Sequence, residues 1–266
     1  MIIKNIEEVI KQRSATRDYD KQWQGQQVLG KVLKYVEEIN TTKGPFGTTI
    51  KIHYINKNIT ESIKLGTYGV ISGANNYLVV SVNKKNYNLL DLGYLFEEVV
   101  LYIVSLGLSA NWMAGTYSKK DFKKAIELVD NEEVAVICPF GKKIDKNTLL
   151  SKVKHKPKKR RDFGDLFFNL DLTPLEEQAS LNYIRALQMV RLAPSSLNKQ
   201  HWRIVVDKVK KQYHFYSAIE KRGSDINIGI AVAHFELTMN ELGVQGKLVQ
   251  AENKILPNYK CTWEEI

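Results

Sequence analysis

Leu192-Ala193-Pro194-Ser195-Ser196-Leu197-Asn198-Lys199-Gln200-His201-Trp202-Arg203 stands between an amphipathic stretch and a β-branched one. Proline ends a helix, because it offers no N–H and disfavours helical geometry just before it. Two serines and an asparagine then supply the side-chain donors and acceptors that build a tight turn. Taken alone, this stretch is equally a helix stop and a surface able to present amides to a flat polar ligand.

Working outward, apolar spacing predicts a helix that opens by capping at Thr173-Pro174 and runs to about Leu192. After the turn, His201 to Val206 and Tyr213 to Tyr216 read as strands, and a helix spans roughly Asp225 to Leu242, with Gly243 as its stop. Toward the N-terminus the same logic gives helices through Val28–Ile39 and Leu95–Leu106. Strands are expected at Thr49–Ile55, Tyr77–Val82 and Glu133–Cys138. The order is mixed rather than a β-α-β alternation, so the expected class is α+β. No glycine-rich dinucleotide or triphosphate loop follows a strand.

An internal repeat shows in the same pass. Leu92-Gly93 leads through Leu101 to Leu106-Gly107-Leu108, and Ile228-Gly229 leads through Leu237 to Leu242-Gly243-Val244, without a gap. Each unit is preceded by a helix, a Gly/Pro turn and a strand, the first turn being Gly44-Pro45-Phe46-Gly47. Two related halves are expected, residues 1–160 and 161–266, meeting near the basic segment Lys154 to Arg161.

The N-terminal stretch Arg13-Ser14-Ala15-Thr16-Arg17-Asp18-Tyr19 follows a short helix of Ile6, Val9 and Ile10. Two guanidinium forks with hydroxyls between them suit a phosphate. By itself the stretch reads more readily as a surface helix end whose arginines pair with Asp18 and Asp20.

Bulk properties narrow the class. The chain has 266 residues, a formal net charge of +10 and a pI near 9.3. Its longest apolar runs fall far short of the ~20 residues of a membrane helix, and its start lacks the features of a secretory signal. Two cysteines without metal-type spacing fit a reduced cytoplasmic protein. Scattered lysines read as a solvated surface, with one dense run from Lys154 to Arg161. A nucleic-acid-binding protein built on that run is a minor alternative. His234 and Glu236, two apart on a helix, point to different faces and make no metal site. Cys138 reads as a small buried hydrophobe rather than a nucleophile.

Pro194 to Trp202 closely resembles the A-P-S-S-x-N-x-Q-P-W motif of the FMN-dependent nitroreductase family, with His201 where proline is usual. Arg13 to Tyr19 is similar to that family's N-terminal phosphate motif. Gly107 to Gly115 resembles the stretch beneath the flavin, and Val134 to Gly141 its strand ending in P-x-G. Lys158 and Arg160 fall where the family places a last phosphate-binding Lys-x-Arg pair. The resemblance implies one FMN, its phosphate on Arg13, Ser14, Arg17, Lys158 and Arg160. It puts the ring against Pro194, Ser195, Ser196 and Asn198, with the backbone of Ala114 and Gly115 at the reactive edge. It implies NAD(P)H and a small electron acceptor as partners, with the chemistry carried by FMN and no catalytic acid or base.

The chain departs from the family's arrangement informatively. Ordinary members carry both motifs near the N-terminus and share each flavin between two subunits. Here the arginines lie in the first half and the Pro-Ser-Ser turn in the second, which resembles a single-chain branch that mimics the homodimer and keeps one site. Such a chain is expected to be a monomer or weak homodimer. A flavin carrier, sensor or flavin-consuming protein of the same fold is the main alternative. Gly66 to Ile71 is read either as flavin-facing or as a plain glycine turn.

Overall fold

A computed structural model of the chain describes residues 3–58, 65–85, 87–144, 159–177, 180–221, 223–251 and 255–266. The helices are α1 (Ile6–Gln12), α2 (Gln26–Thr41), α3 (Leu89–Ser105), α4 (Lys119–Ala125), α5 (Asn182–Leu192) and α6 (Ser224–Glu241). The first sheet holds β1 (Lys51–Asn56), β2 (Asn76–Asn83), β3 (Ser109–Ala110) and β4 (Glu132–Gly141) in the order β1-β2-β4-β3, all antiparallel. The second holds β5 (Phe167–Asn169), β6 (Trp202–Asp207), β7 (Gln212–Ser217), β8 (Gly246–Val249) and β9 (Tyr259–Glu265) in the order β5-β6-β7-β9-β8. Only the β5–β6 pair is parallel. The architecture is α+β, as the mixed element order predicts.

Strand β2 explains its own composition. Leu78, Val80 and Val82 face a core shared with α2 and α3, whereas Tyr77 and Val79 face a second core with Phe122 and Ile137. A strand buried on both faces reads as a continuous apolar run rather than an alternating one. In the second sheet, Trp202, Ile204 and Val206 of β6 pack with Phe215, Phe235 and Trp263.

Helices α3 and α6 run through the centre and are buried over most of their surface. Both close with the same C-cap. Gly107 (φ +78°) and Gly243 (φ +79°) take the left-handed conformation that glycine adopts at no steric cost. Leu108 N–H donates to Ile103 O and Gly107 N–H to Val104 O, and Val244 N–H to Met239 O and Gly243 N–H to Asn240 O, the paired bonds of a Schellman ending in each helix. The helices also meet reciprocally. A Cβ on Gly93 would lie 2.2 Å from Ile226 O and 3.0 Å from Ile230 N; one on Gly229 would lie 2.1 Å from Leu90 O and 2.9 Å from Tyr94 N. Ile226 and Ile230 stand to Gly229 as Leu90 and Tyr94 stand to Gly93. The repeated glycines thus mark the helix crossing, where backbone touches backbone and no side chain fits.

The N-terminal helix ties residues far apart in sequence. Ile6 N–H donates to Glu241 Oε1 at 2.8 Å, Glu7 pairs with Arg185 at 2.6 Å, and Ile6, Val9 and Ile10 pack with Val104 and Met189.

One sequence expectation is corrected. The helix expected from Thr173 begins instead at Asn182. Thr173 donates from its hydroxyl to Asp171 Oδ1 (2.6 Å), Pro174 bridges Phe168, and Leu175 N–H donates to Phe167 O. Asx turns and helix caps draw on the same short polar residues, and the sheet pairing decides for the turn here.

Candidate functional site

The Pro194–Asn198 turn leaves the C-terminus of α5 and forms a single 3₁₀ turn over Ser196–Asn198. Leu197, Asn198 and Gln200 adopt φ of 52°, 59° and 51°, a left-handed geometry costing about 1–2 kcal/mol for each non-glycine residue. Such strain persists only where the surroundings enforce it. Ser195 Oγ accepts from Gln200 N–H (3.0 Å), Ser196 N–H donates to Asn227 Oδ1 (3.0 Å), and Asn198 Nδ2 donates to Lys159 O (3.0 Å). Gln200 Oε1 accepts from Arg161 N–H at 2.9 Å, so residues 159–161 lace across the turn. Leu197 projects outward, 76% exposed.

Arg160 joins the turn to the N-terminal motif. Its Nη1 and Nη2 donate to Ala193 O and Leu192 O, both at 2.7 Å, and so cap the last carbonyls of α5. Burial, with Arg13 and Arg191 nearby, pulls its guanidinium down to about 10. Burial likewise lowers Arg13, with Glu97 opposing. Arg13 and Arg160, 147 positions apart in the chain, are thus near enough for the charge of one to act on the other. The Nε of Arg13 and the Oγ1 of Thr16 are enclosed and have no hydrogen-bond partner among the described residues. Buried donors left unpaired at a cluster of positive charge fit an anionic group such as a phosphate.

The rest of the N-terminal motif is a short edge segment. Ala15 bridges Ala110 of β3, Asp18 bridges Ser72, and Tyr19 bridges Lys143. The buried Tyr19 hydroxyl lies 3.0 Å from Thr16 O and 2.9 Å from Pro139 O, which fastens the motif to the end of β4. Ser14 and Arg17 are exposed. Ala114 and Gly115 form an exposed bend just after Met113, which bridges Ile137 of β4. Lys158 and the basic run before it lie outside the described residues. Of the two arginines that end the run, Arg160 is half-buried as above, and Arg161 stays exposed, its Nε donating to Lys199 O at 3.2 Å.

A cleft of about 290 Å³ lies against this turn, lined by Lys159, Arg160, Arg161, Asn198, Lys199 and Gln200 together with Asp162 and Asp165. Burial and the positive charges of Arg161, Arg203, Lys199 and Lys221 lower the His201 imidazole. The Gly66–Ile71 phrase forms a turn, with Tyr68 at φ 48° and Gly69 at φ 72°, fastened by Gly66 N–H to Asp121 Oδ2 at 3.0 Å. Cys138 is buried, and its thiol is pushed up to about 12 by desolvation, which suits packing rather than nucleophilic work.

Two features escaped the sequence reading. The first is Glu97, fully buried on α3. It accepts from Trp112 Nε1 at 2.6 Å and lies 2.8 Å from His234 Nε2, whose Nδ1 is 3.0 Å from Met189 O. The second is a mirrored pair of turn anchors. Asp91, two residues before Gly93, accepts from Phe46 N–H (2.8 Å), Thr48 N–H (2.8 Å) and Thr48 Oγ1 (2.7 Å). Asn227, two residues before Gly229, accepts Ser196 N–H alone among the described residues.

With this geometry in place, the chain can be set beside known proteins. A family model described as "Putative TM nitroreductase" matches residues 5–239, and the chain belongs to that nitroreductase family. In fold it is similar to a nitroreductase-type protein from Thermotoga maritima, with a TM-score of 0.62 and 20% identity over 100% of this chain and 95% of that one. Weaker likenesses include an oxidoreductase containing FMN (TM-score 0.48, 15% identity, 59% of this chain and 87% of that one). Another is an FMN-dependent nitroreductase from Clostridium difficile (TM-score 0.41, 16% identity, 57% and 98%). No curated relative matches the sequence.

Proposed function

We propose that the chain is an FMN-dependent oxidoreductase with one flavin site, built from the arginine segment of residues 1–160 and the Pro-Ser-Ser turn of residues 161–266. The observation that carries this reading is the pair of enclosed, unpartnered polar atoms Arg13 Nε and Thr16 Oγ1, beside which Arg160 adds positive charge. Thr16 joins Arg13 and Arg160 as a phosphate donor. Ser14, Arg17 and Lys158 stand as further phosphate contacts on the strength of the motif. Pro194, Ser195, Ser196 and Asn198 hold the ring system from the opposite side. Ala114 and Gly115 leave an open backbone edge there, since a Cβ on Gly115 would meet nothing within 4 Å. When bound, FMN would supply two-electron chemistry between NAD(P)H and a small acceptor such as a nitroaromatic or quinone. The chain's own work is to bind and orient, and its arginines favour negative charge in the site.

The reciprocal contact of Gly93 and Gly229 supports reading the chain as two fused halves that mimic a family homodimer. Asp91 supports the count of one site, because it occupies the donors of the first turn itself. Purified protein is expected to be yellow, to release FMN on denaturation, and to oxidise NAD(P)H when a nitroaromatic or quinone is added. Arg13→Ala should weaken FMN binding about a hundredfold, in line with losing one buried charge-assisted contact. Arg17→Ala, at an exposed position, should cost far less. Protein that cannot take up added FMN would sink the reading; flavin uptake without NAD(P)H oxidation would favour the carrier or flavin-consuming alternative.

A further inference from the structure

Glu97 stands where all three segments of the proposed site meet. Trp112 leads to the Ala114–Gly115 bend. His234 reaches Met189 O on α5, the helix that ends at the Pro-Ser-Ser turn. Arg13 lies two residues before Ala15, which bridges Ala110 just ahead of Trp112, so the N-terminal motif comes to the same place. Glu97 and His234 are both fully buried. No other contact of this kind joins the three segments among the described residues.

Hydrogen-bond chemistry counts the protons in this pair. Met189 O can only accept, so Nδ1 of His234, 3.0 Å away, carries a proton. A bare Nε2 lone pair cannot sit 2.8 Å from a carboxylate oxygen in a buried setting, so a second proton lies between Nε2 and Glu97 Oε1. The other carboxylate oxygen already accepts from Trp112. Whichever atom holds that second proton, the pair as a whole is neutral.

We propose that His234 acts as a positioning residue that neutralises Glu97, so that Arg13 and Arg160 keep two uncompensated positive charges for a doubly charged phosphate. The consequence runs against first appearance. Glu97 looks like the counter-ion of Arg13, which would spoil an anion site, yet its charge is spent on the histidine. The inference rests on the flavin reading for the identity of the phosphate, but the proton count does not.

The test is a charge cycle read by affinity rather than turnover. His234→Gln removes the shared proton, leaves Glu97 charged beside the N-terminal motif, and should weaken FMN binding about tenfold or more, as an added unit charge in a partly buried site implies. Riboflavin, which lacks the phosphate, should bind both proteins alike. The double variant Glu97→Gln/His234→Gln removes the charge again and should recover most of the lost FMN affinity. A merely structural role predicts the opposite: riboflavin affinity falls with FMN affinity, and the double variant is worse than the single one. Either result overturns the proposal.

Nitrogen-15 NMR of the wild-type imidazole tests the proton count without flavin. Both ring nitrogens should report a proton, bound or strongly shared; a free-base Nε2 overturns the inference. If wild-type protein binds neither FMN nor riboflavin, the flavin reading fails and this spectrum alone decides the pair.

Discussion

The turns at Gly44–Thr48 and Pro194–Asn198 occupy like places in the two halves, each anchored by a residue two positions before a crossing glycine. They differ in what they leave available. In the first, the Asp91 carboxylate takes three donors, and a Cβ on Gly44 would fall 2.1 Å from it, so the turn closes on itself. In the second, the neutral Asn227 takes one amide, and the backbone is held in left-handed geometry by bonds within the turn and to residues 159–161. Near-equal scaffolds therefore yield one self-satisfied turn and one strained, open turn. Charge at a single anchor position is the main chemical difference.

The comparison can be broken most forcefully at Asp91. Asp91→Ala strands two backbone amides and a hydroxyl, and should destabilise the fold by about 4 kcal/mol, given what charge-assisted bonds contribute. FMN affinity of the folded fraction should not change; a parallel loss of flavin would mean that the first turn serves the site. Next in size are the crossing glycines. Gly93→Ala and Gly229→Ala each push a methyl into the facing backbone, and should each cost about 3 kcal/mol by chemical denaturation. Unequal costs would argue against an equivalent role for the two halves at this contact.

A smaller effect comes from Glu98 of α3. Burial, and then the nearby Glu236 of α6, push its carboxyl up from 4.5 to about 7. The folded chain thus holds this proton more tightly than the unfolded chain does. Stability should be greatest below about pH 4.5 with respect to this group, and should fall as pH rises toward 7. Glu98→Gln should flatten that slope and raise stability at pH 8 by about 2 kcal/mol; an unchanged melting profile would contradict it. Smallest in stability is Asn227→Ala, at about 1 kcal/mol. It should nonetheless weaken FMN severalfold by freeing Ser196, so it inverts the pattern of Asp91→Ala.

Much of this was legible in the sequence, because it is local. The Pro-Ser-Ser turn, the Arg13 motif, the matching glycine stops and the order of the main strands are all readable from short windows. Local signals also misled: Thr173-Pro174 has the form of a helix start but serves a turn paired with β5. Helix α4 carried a usable signal in Ser118, which accepts from Asp121 N–H, yet with Phe122 alone buried its apolar pattern was weak. Strand β9 buries Cys261, Thr262 and Trp263 in a row, but its lysine and glutamates disguised it. Asp91 and Glu97 were not readable at all, and His234 was read only as a rejected metal ligand. Their roles depend mostly on partners 43 to 137 residues away, Trp112 at 15 being the exception, and the packing of α3 against α6 is what brings Glu97 and His234 together.

The central claim is that one flavin sits between an arginine segment and a turn from opposite ends of the chain. It is tested most directly by titrating flavin-free protein with FMN and counting bound flavin per chain. The account predicts saturation at about one, with Asp91→Ala leaving that count unchanged. Two flavins per chain, or none, would contradict it.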